Sequence, residues 1–207
     1  MKVNKIFPLL LIIFLIGCKS KTEESDKVNL SIEKFDLISL DNNGKKIYSI
    51  NSPYSQYDNI FQIYLLNDVK VNFYENEKKI YTVTAKDAKL VSMEKIILNG
   101  NVIIEDLSED KTTINAAGFS WDLNNSNFIL EGNVTLKNNV INLNSGKAIL
   151  DKKTNIIKFY KPVNYFYNEE NNSSKYNISS ENAYYNLKDK SVIFKSESKR
   201  VKSTIIF

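Results

Sequence analysis

A repeated segment constrains the fold of this chain more than any other feature of its sequence. Residues 98–104 read Leu-Asn-Gly-Asn-Val-Ile-Ile, and residues 130–136, 32 positions later, read Leu-Glu-Gly-Asn-Val-Thr-Leu. A pair of small residues three apart marks the start of each of five units: Ser52/Ser55, Ala85/Ala88, Ala117/Ser120, Ser145/Ala148 and Ser180/Ala183. Such a repeat indicates a stacked architecture, in which each unit buries its apolar side only against its neighbours.

Within the units, apolar residues alternate with polar ones, which is the periodicity of a β-strand. Because a shift of 32 residues is even, the copies keep their apolar rows on one face. Polar turn signals separate the copies at residues 41–44, 75–78, 124–126, 151–153 and 187–190. The sequence therefore predicts an all-β protein of stacked antiparallel strand repeats, with hardly any helix. The predicted apolar rows are Ile63, Leu65, Val69 and Val71; Ile96, Leu98, Val102 and Ile104; and Phe128, Leu130, Val134 and Leu136.

The N-terminus has the proportions of a bacterial lipoprotein signal. Two lysines precede an apolar run over residues 6–17, which is shorter than the roughly 20 residues that span a membrane. The run ends in Leu-Ile-Gly-Cys, which resembles a lipobox, so we expect a signal peptide over residues 1–17 and lipidation of Cys18. Residues 18–29 then form a polar tether reaching about 18 Å, and residues 30–207 form one β domain. The alternative is an uncleaved anchor, or an ordinary signal peptide with a chance cysteine.

The composition argues against most enzyme chemistry. The chain has no His and one Cys, which removes Ser-His and Cys-His pairs and nearly every zinc or redox-metal site. The carboxylates lie in or beside predicted turns, where we interpret them as a solvated face. We therefore expect that the protein is not an enzyme and that it binds no cofactor and no metal.

Basic residues are the other charged feature of the chain. The net charge is +4 and Arg200 is the single arginine, so nucleic-acid binding is not expected. A basic cluster of Lys195, Lys199, Arg200 and Lys202 has two interpretations. It could attract anionic lipid headgroups or sugar phosphates, or it could be a solvated strand edge protected by lysines.

Several motifs in their order resemble the LptC family of lipopolysaccharide-export proteins. They are Asp-Asn-Asn-Gly-Lys at 41–45, the strand at 66–74, Thr-Ala-Lys-Asp-Ala at 84–88 and Leu-Asn-Gly-Asn-Val at 98–102. The resemblance covers roughly residues 30–207, and its repeats are shared with related OstA-like domains. It implies a β-jellyroll, open at both ends, whose apolar groove carries the acyl chains of lipopolysaccharide. The chain departs from the best-known members in having a lipobox instead of a membrane helix, and in its longer C-terminal side.

The resemblance also implies partners and a location. These are lipopolysaccharide or a related glycolipid, an inner-membrane ABC exporter complex and a downstream OstA-like periplasmic bridge protein. The protein would face the periplasm on a lipid anchor, in the inner membrane rather than the outer one. The twelve apolar residues of the three rows become candidates for lipid contact, although the alternation alone does not separate a groove from a filled core. A structural or adhesive β-solenoid lipoprotein is the alternative function, and an envelope hydrolase is opposed by the missing His.

The last residues suggest a docking edge. Residues 201–207 alternate and are followed by no turn, so we expect an edge strand with unpaired backbone groups, a template for strand addition by a partner. The alternatives are a terminal strand that pairs internally, and a docking edge at the strand around Ile47 to Ile50.

Overall fold

The described part of the protein is a single antiparallel sheet. A computed structural model describes residues 29–107, 111–168 and 175–206, and in these ranges the chain forms strands and no helix. Each strand pairs with the next from β1 to β11, and β12 returns to pair with β10. The all-β prediction is confirmed, and the five predicted turn signals fall between consecutive strands. The strands are β1 (Asn29–Leu40), β2 (Lys46–Asp58), β3 (Ile63–Glu75), β4 (Lys78–Val91), β5 (Lys95–Asp106), β6 (Thr113–Asp122), β7 (Asn127–Lys137), β8 (Ile141–Asp151), β9 (Ile156–Asn168), β10 (Lys175–Asn186), β11 (Val192–Lys195) and β12 (Lys202–Ile206).

The repeated Gly-Asn pair bends the strand in which it lies. Gly100 and Asn101 have φ values of 76° and 52°, and Gly132 and Asn133 have 77° and 51°. These are left-handed conformations, which glycine adopts freely and asparagine tolerates better than most residues. In both strands the register with the neighbours shifts at this point, as in a β-bulge. The repeat unit is therefore a pair of strands with a bend at the middle.

The bends line up across the sheet and form one fold line. Lys34 in β1 and Asp68 in β3 also have left-handed backbones, with φ values of 58° and 49°. In later strand pairs the register shifts at matching positions, for example between Asn144 and Lys147 and between Ser180 and Asn182. Along this line the sheet folds over itself.

The fold divides the sheet into two facing layers. The fold line divides each of the strands β1 to β10 into a first and a second half along the chain. The first layer contains the first halves of the even-numbered strands and the second halves of the odd-numbered strands. The second layer contains the remaining halves. Contacts between the layers establish that they face each other. Phe73 of the first layer and Trp121 of the second have ring centroids 5.1 Å apart, although they lie in β3 and β6. The β11 strand extends the second layer and β12 extends the first, because they pair with different halves of β10.

The space between the layers is filled with apolar side chains. Leu98, Val102, Leu130 and Val134, which flank the two Gly-Asn bends, are all 0% exposed. The apolar rows thus pack against each other in this conformation instead of lining an open groove. Burial of these side chains is the main stabilising contribution of the fold, at about 25 cal/mol per Å² of apolar surface.

The first predicted row is corrected by the structure. Ile63 and Leu65 were expected to share a face with Val69 and Val71, but Leu65 is 39% exposed while Leu66 is 1% exposed. The left-handed residue Asp68 changes the alternation by one position, so the face that points inward differs on its two sides. Ile63 and Leu65 therefore point away from the interior.

One of the small pairs is also displaced by one residue. Ala117 is exposed and Ser120 is half-buried, whereas Ala116 and Phe119 are buried at 7% and 2% exposure. The buried pair still has a spacing of three, because the strand bends between its two members. The buried pair of β6 therefore lies one position before the small pair that marks this unit in the sequence.

Candidate functional site

The interior between the layers collects ten of the twelve predicted site residues. All are buried, and none exceeds 3% exposure. They come from three strands, β3, β5 and β7, and the even repeat aligns the equivalent positions of β5 and β7. The ten are Val69, Val71, Ile96, Leu98, Val102, Ile104, Phe128, Leu130, Val134 and Leu136. An interior of this kind, long and lined by aliphatic side chains, suits a hydrocarbon ligand if the layers separate.

The interior is closed on one long side by the fold line and on the other by the turns. The turns after β1, β3, β5 and β7 form the first rim, and those after β2, β4, β6, β8 and β10 form the second rim. We call the boundary between the two rims the slot. Side chains, and no backbone pairing among the described residues, join the layers across it. The slot is therefore the side on which the layers can separate without breaking the sheet.

An aromatic cluster lies across the slot. Trp121 of the second layer contacts Tyr48 and Phe73 of the first, with ring centroids 4.9 Å and 5.1 Å apart. Phe128 joins them at 4.9 Å from Phe73 and 5.2 Å from Trp121. The indole Nε1 of Trp121 donates a hydrogen bond to the carbonyl oxygen of Asn125 at 2.8 Å, which fixes the ring on the second rim. Such ring pairs contribute about 1 kcal/mol each beyond the area they bury.

A lysine covers this cluster. The Nζ of Lys152, in the turn after β8, lies 4.9 Å, 5.3 Å and 5.4 Å from the ring centroids of Phe73, Trp121 and Phe128. At this distance the ring quadrupoles attract the ammonium. Burial lowers the pKa of Lys152 below its ordinary value. The second rim thus places a partly desolvated cation at the mouth of the apolar interior.

Two cavities open into the slot. The first has about 570 Å³ and is lined from both rims by Ile47, Tyr48, Met93, Asn124 and Lys152, among others. The second has about 510 Å³ and is lined by acidic and basic residues of both rims. These include Glu75, Lys78, Lys79, Tyr81, Asp106, Lys188 and Lys190.

An ion pair spans the rims at the second cavity. Lys190 Nζ lies 3.3 Å from Asp106 Oδ2, with both side chains mostly shielded. Burial raises the pKa of the neighbouring Tyr81 to about 12, and the charges of Asp106 and Glu75 add to the effect. Tyr81 is therefore a protonated hydroxyl at this opening over the physiological pH range.

The residues around the interior suit the binding of an amphiphile. In the described ranges no group of three or more His, Cys, Asp or Glu side chains could hold a metal ion. An apolar interior with lysines at its openings matches an amphiphile that has hydrocarbon chains and an anionic head. Sequence reasoning missed the role of Lys152, Tyr48 and Trp121, because their contacts join segments that are distant in the sequence.

The two edges of the sheet are β1 on one side and β11 with β12 on the other. The expectation that residues 201–207 form an edge is consistent with β12, which has one neighbouring strand, β10. The alternative edge around Ile47 to Ile50 is wrong. That part of β2 is paired on both sides, for example Ile50 with Leu37 and with Val71.

The predicted lipidation site lies outside the described residues. Cys18 and the expected signal peptide precede residue 29, where the description begins. Among the residues that are described, no helix is long and apolar enough to cross a membrane.

Comparison with known proteins gives a match to a family model and a likeness to solved structures. The family model described as lipopolysaccharide-assembly, LptC-related, matches residues 9–147. Among solved structures, the chain is similar to the crystal structure of LptH, the LptA-homologous periplasmic component of the conserved lipopolysaccharide transport device from Pseudomonas aeruginosa. The identity is 10% and the TM-score 0.38, with 77% of this chain and 94% of that chain covered. No curated protein matches the chain.

Proposed function

The chain belongs to the LptC-related family of lipopolysaccharide-assembly proteins, and on that premise we propose how it takes part in lipopolysaccharide transport across the periplasm. It binds lipopolysaccharide, or a related glycolipid, with the acyl chains between the two layers and the charged head outside them. The observation that carries this proposal is the buried aliphatic interior, bounded by a slot that, within residues 29–107, 111–168 and 175–206, side chains alone close.

Lipid entry separates the layers at the slot and keeps them joined at the fold line. Backbone pairing remains intact during this motion, because it runs along each layer and not across the slot. Burying one 14-carbon chain contributes about 10 kcal/mol, at about 0.8 kcal/mol per methylene. That gain offsets the loss of side-chain packing between the layers, and the same interior in a neighbouring protein permits transfer at little net cost.

The direct test is the lipid content of the protein. The full chain, extracted with detergent from the envelope of the producing cell, should carry lipopolysaccharide or its lipid A part in mass spectra of the extracted lipid. A preparation that is free of lipid, and that also fails to bind added lipopolysaccharide, would contradict the proposal. It would favour a structural or adhesive role in the envelope.

The proposed anchor is a lipidated Cys18 in the inner membrane, facing the periplasm. The support is the short apolar run that ends in Leu-Ile-Gly-Cys, followed by a polar tether to β1. Cys18→Ser should give an uncleaved precursor without the mass of the acyl groups. Unchanged processing and membrane retention of this variant would show that the anchor lies elsewhere.

The proposed partners are an inner-membrane ABC exporter complex and a downstream OstA-like bridge protein. The β12 strand supports docking of the bridge protein, because one of its sides has no strand neighbour among the described residues. Edge-to-edge pairing would align the interiors of the two proteins. Deletion of residues 201–207 should abolish cross-linking to the bridge protein and leave the protein folded and able to bind lipid. Normal cross-linking of the truncated protein would indicate that the docking edge is β1.

A further inference from the structure

The last edge of the sheet is interrupted at the fold line. Lys195, at the end of β11, pairs with Asn182, and Lys202, at the start of β12, pairs with Ser179. Residues 196–201 therefore lie opposite only Ser180 and Glu181 of β10. This segment, which we call the edge loop, connects the two layers across the outside of the fold line.

A buried carboxylate holds the edge loop in place. Glu181 is 8% exposed, and its backbone N–H donates to Ser196 Oγ at 3.1 Å. Its carboxylate accepts hydrogen bonds from the N–H groups of Glu197 and Ser198 at 2.7 Å and 3.2 Å, and from the Ser198 hydroxyl. These bonds, that of the Ser198 hydroxyl above all, hold the pKa of Glu181 down at about 2. The carboxylate is therefore ionised and already occupied by the loop.

Four cations converge beside this loop. Lys199, Arg200 and Lys202 line a cavity of about 360 Å³ together with Lys161 of β9. All four side chains are exposed, and none of them forms an ion pair in the part of the chain that the structure describes. The hydroxyl of Ser196, which accepts from Glu181, keeps its own proton available to a ligand in the same cavity. The Glu181 carboxylate lines the same cavity and attracts Lys161, so four positive charges face one negative charge there. This excess of positive charge forms a site for a multiply charged anion.

We propose that this cavity binds a phosphate group, and that its source is the phosphorylated head of the glycolipid carried by the protein. Arg200 supplies the planar pair of N–H donors that matches phosphate oxygens, and the lysines add point charges. The cavity lies at the β11–β12 edge, where the interior ends. Lys161, Lys199, Arg200 and Lys202 all lie beyond residues 9–147, which match the family, so the site belongs to the additional C-terminal part of this chain. The source of the phosphate in this inference rests on the proposed function. The binding of a phosphate group rests on the four cations.

Titration calorimetry of the full chain in nonionic detergent tests the site with three probes: inorganic pyrophosphate, phosphorylated lipid A and dephosphorylated lipid A. The test variant is Lys199→Gln with Arg200→Gln. The control is Lys89→Gln with Lys95→Gln, an equal charge change at two exposed lysines of the second layer. The unchanged protein and the control should bind phosphorylated lipid A about tenfold more tightly than the dephosphorylated form. A difference of this size corresponds to the binding free energy of roughly one charge-assisted hydrogen bond. The test variant should bind both forms equally.

The outcomes separate the site from the proposed function. An equal loss of preference in test and control variants, or retained preference in the test variant, would overturn the phosphate site. Pyrophosphate binding without any preference between the two lipids would assign the site to free phosphate and overturn the headgroup source. Should neither lipid bind, the proposed function fails; pyrophosphate binding that is lost only in the test variant would still support the phosphate site.

Discussion

The ammonium of Lys152 lies 4.9 Å from the centroid of the Phe73 ring, although Lys152 follows β8 and Phe73 belongs to β3. The contact joins the second rim to a buried ring of the first layer. It is one of a few side-chain contacts that close the slot, whereas the fold line is closed by the continuous chain. The two long sides of the interior therefore differ in mechanical strength.

Lipid binding should widen the slot. Nitroxide labels at Ile47→Cys and Asn124→Cys, which line the same cavity from opposite rims, should move apart when lipopolysaccharide is added to the chain lacking residues 1–18. The expected shift is about 5 Å or more, since an acyl chain inserts between sheets that normally pack about 10 Å apart. Pulsed electron paramagnetic resonance measures the distance.

The matched control has both labels on the second rim, at Met93→Cys and Asn124→Cys. These positions lie in one layer, so their distance should not change. Equal widening of both pairs would indicate a general loosening of the fold instead of separation at the slot.

An inward charge should unfold the protein where an outward charge is tolerated. Val134 is 0% exposed, and its neighbour Asn133 is exposed. Val134→Asp should lower the free energy of unfolding by about 3 kcal/mol or more, because the new charge is buried without a partner. Val102→Asp should behave in the same way in the other copy of the repeat.

The controls are Asn133→Asp and Asn101→Asp, which place the charge on the exposed side of the bends. Thermal unfolding followed by circular dichroism gives the comparison. Folding of Val134→Asp with normal stability would mean that the interior is already open to water.

The bend at Gly132 should not tolerate a side chain. Its φ is +77°, and a Cβ there would lie 2.8 Å from the Cβ of Ala117. Gly132→Ala should lower the free energy of unfolding by about 2 kcal/mol, from the left-handed backbone together with the close approach. Gly146→Ala provides the control, because Gly146 has no positive φ and no atom would lie within 4 Å of a Cβ at this position.

Urea titration measures both glycine variants. The control should keep or slightly raise its stability, by up to about 1 kcal/mol, because alanine restricts the unfolded chain. If the two variants lose equal stability, the bend at the repeated motif is not what requires glycine.

Alkaline pH should weaken the second opening of the slot. The pKa of Tyr81 is about 12 in the folded protein, against 10.0 ordinarily. A raised folded pKa means that its contribution to stability is complete below pH 10 and is lost as the pH rises towards 12. Tyr81→Phe should therefore show a shallower decline of the free energy of unfolding over this interval.

Tyr54→Phe is the contrasting variant, because hydrogen bonds from Ser31 and Gln56 lower the pKa of Tyr54. It should not make the decline shallower. Chemical denaturation between pH 9 and about 12 covers the relevant interval. An unchanged decline in Tyr81→Phe would show that its hydroxyl is not held protonated by the fold.

The sequence by itself determined the strands, the turns and the period of the repeat, because these depend on local alternation and on residues with special backbone preferences. Leu98, Val102, Leu130 and Val134 were predicted to share one apolar face, and the structure shows that this face is buried. The Gly-Asn pair leaves the inward face unchanged along the strand, since Leu98 and Val102 are an even number of residues apart.

Only the tertiary structure decided which side Leu65 faces and what closes the slot. One left-handed residue, Asp68, reverses the alternation in β3, and no rule of alternation predicts the φ of a single aspartate. The contact of Lys152 with Phe73, and the loop that Glu181 holds, depend on how far the sheet folds and on which strands then face each other. That relation is set by packing between distant segments, because the side chains of both layers must fill one interior.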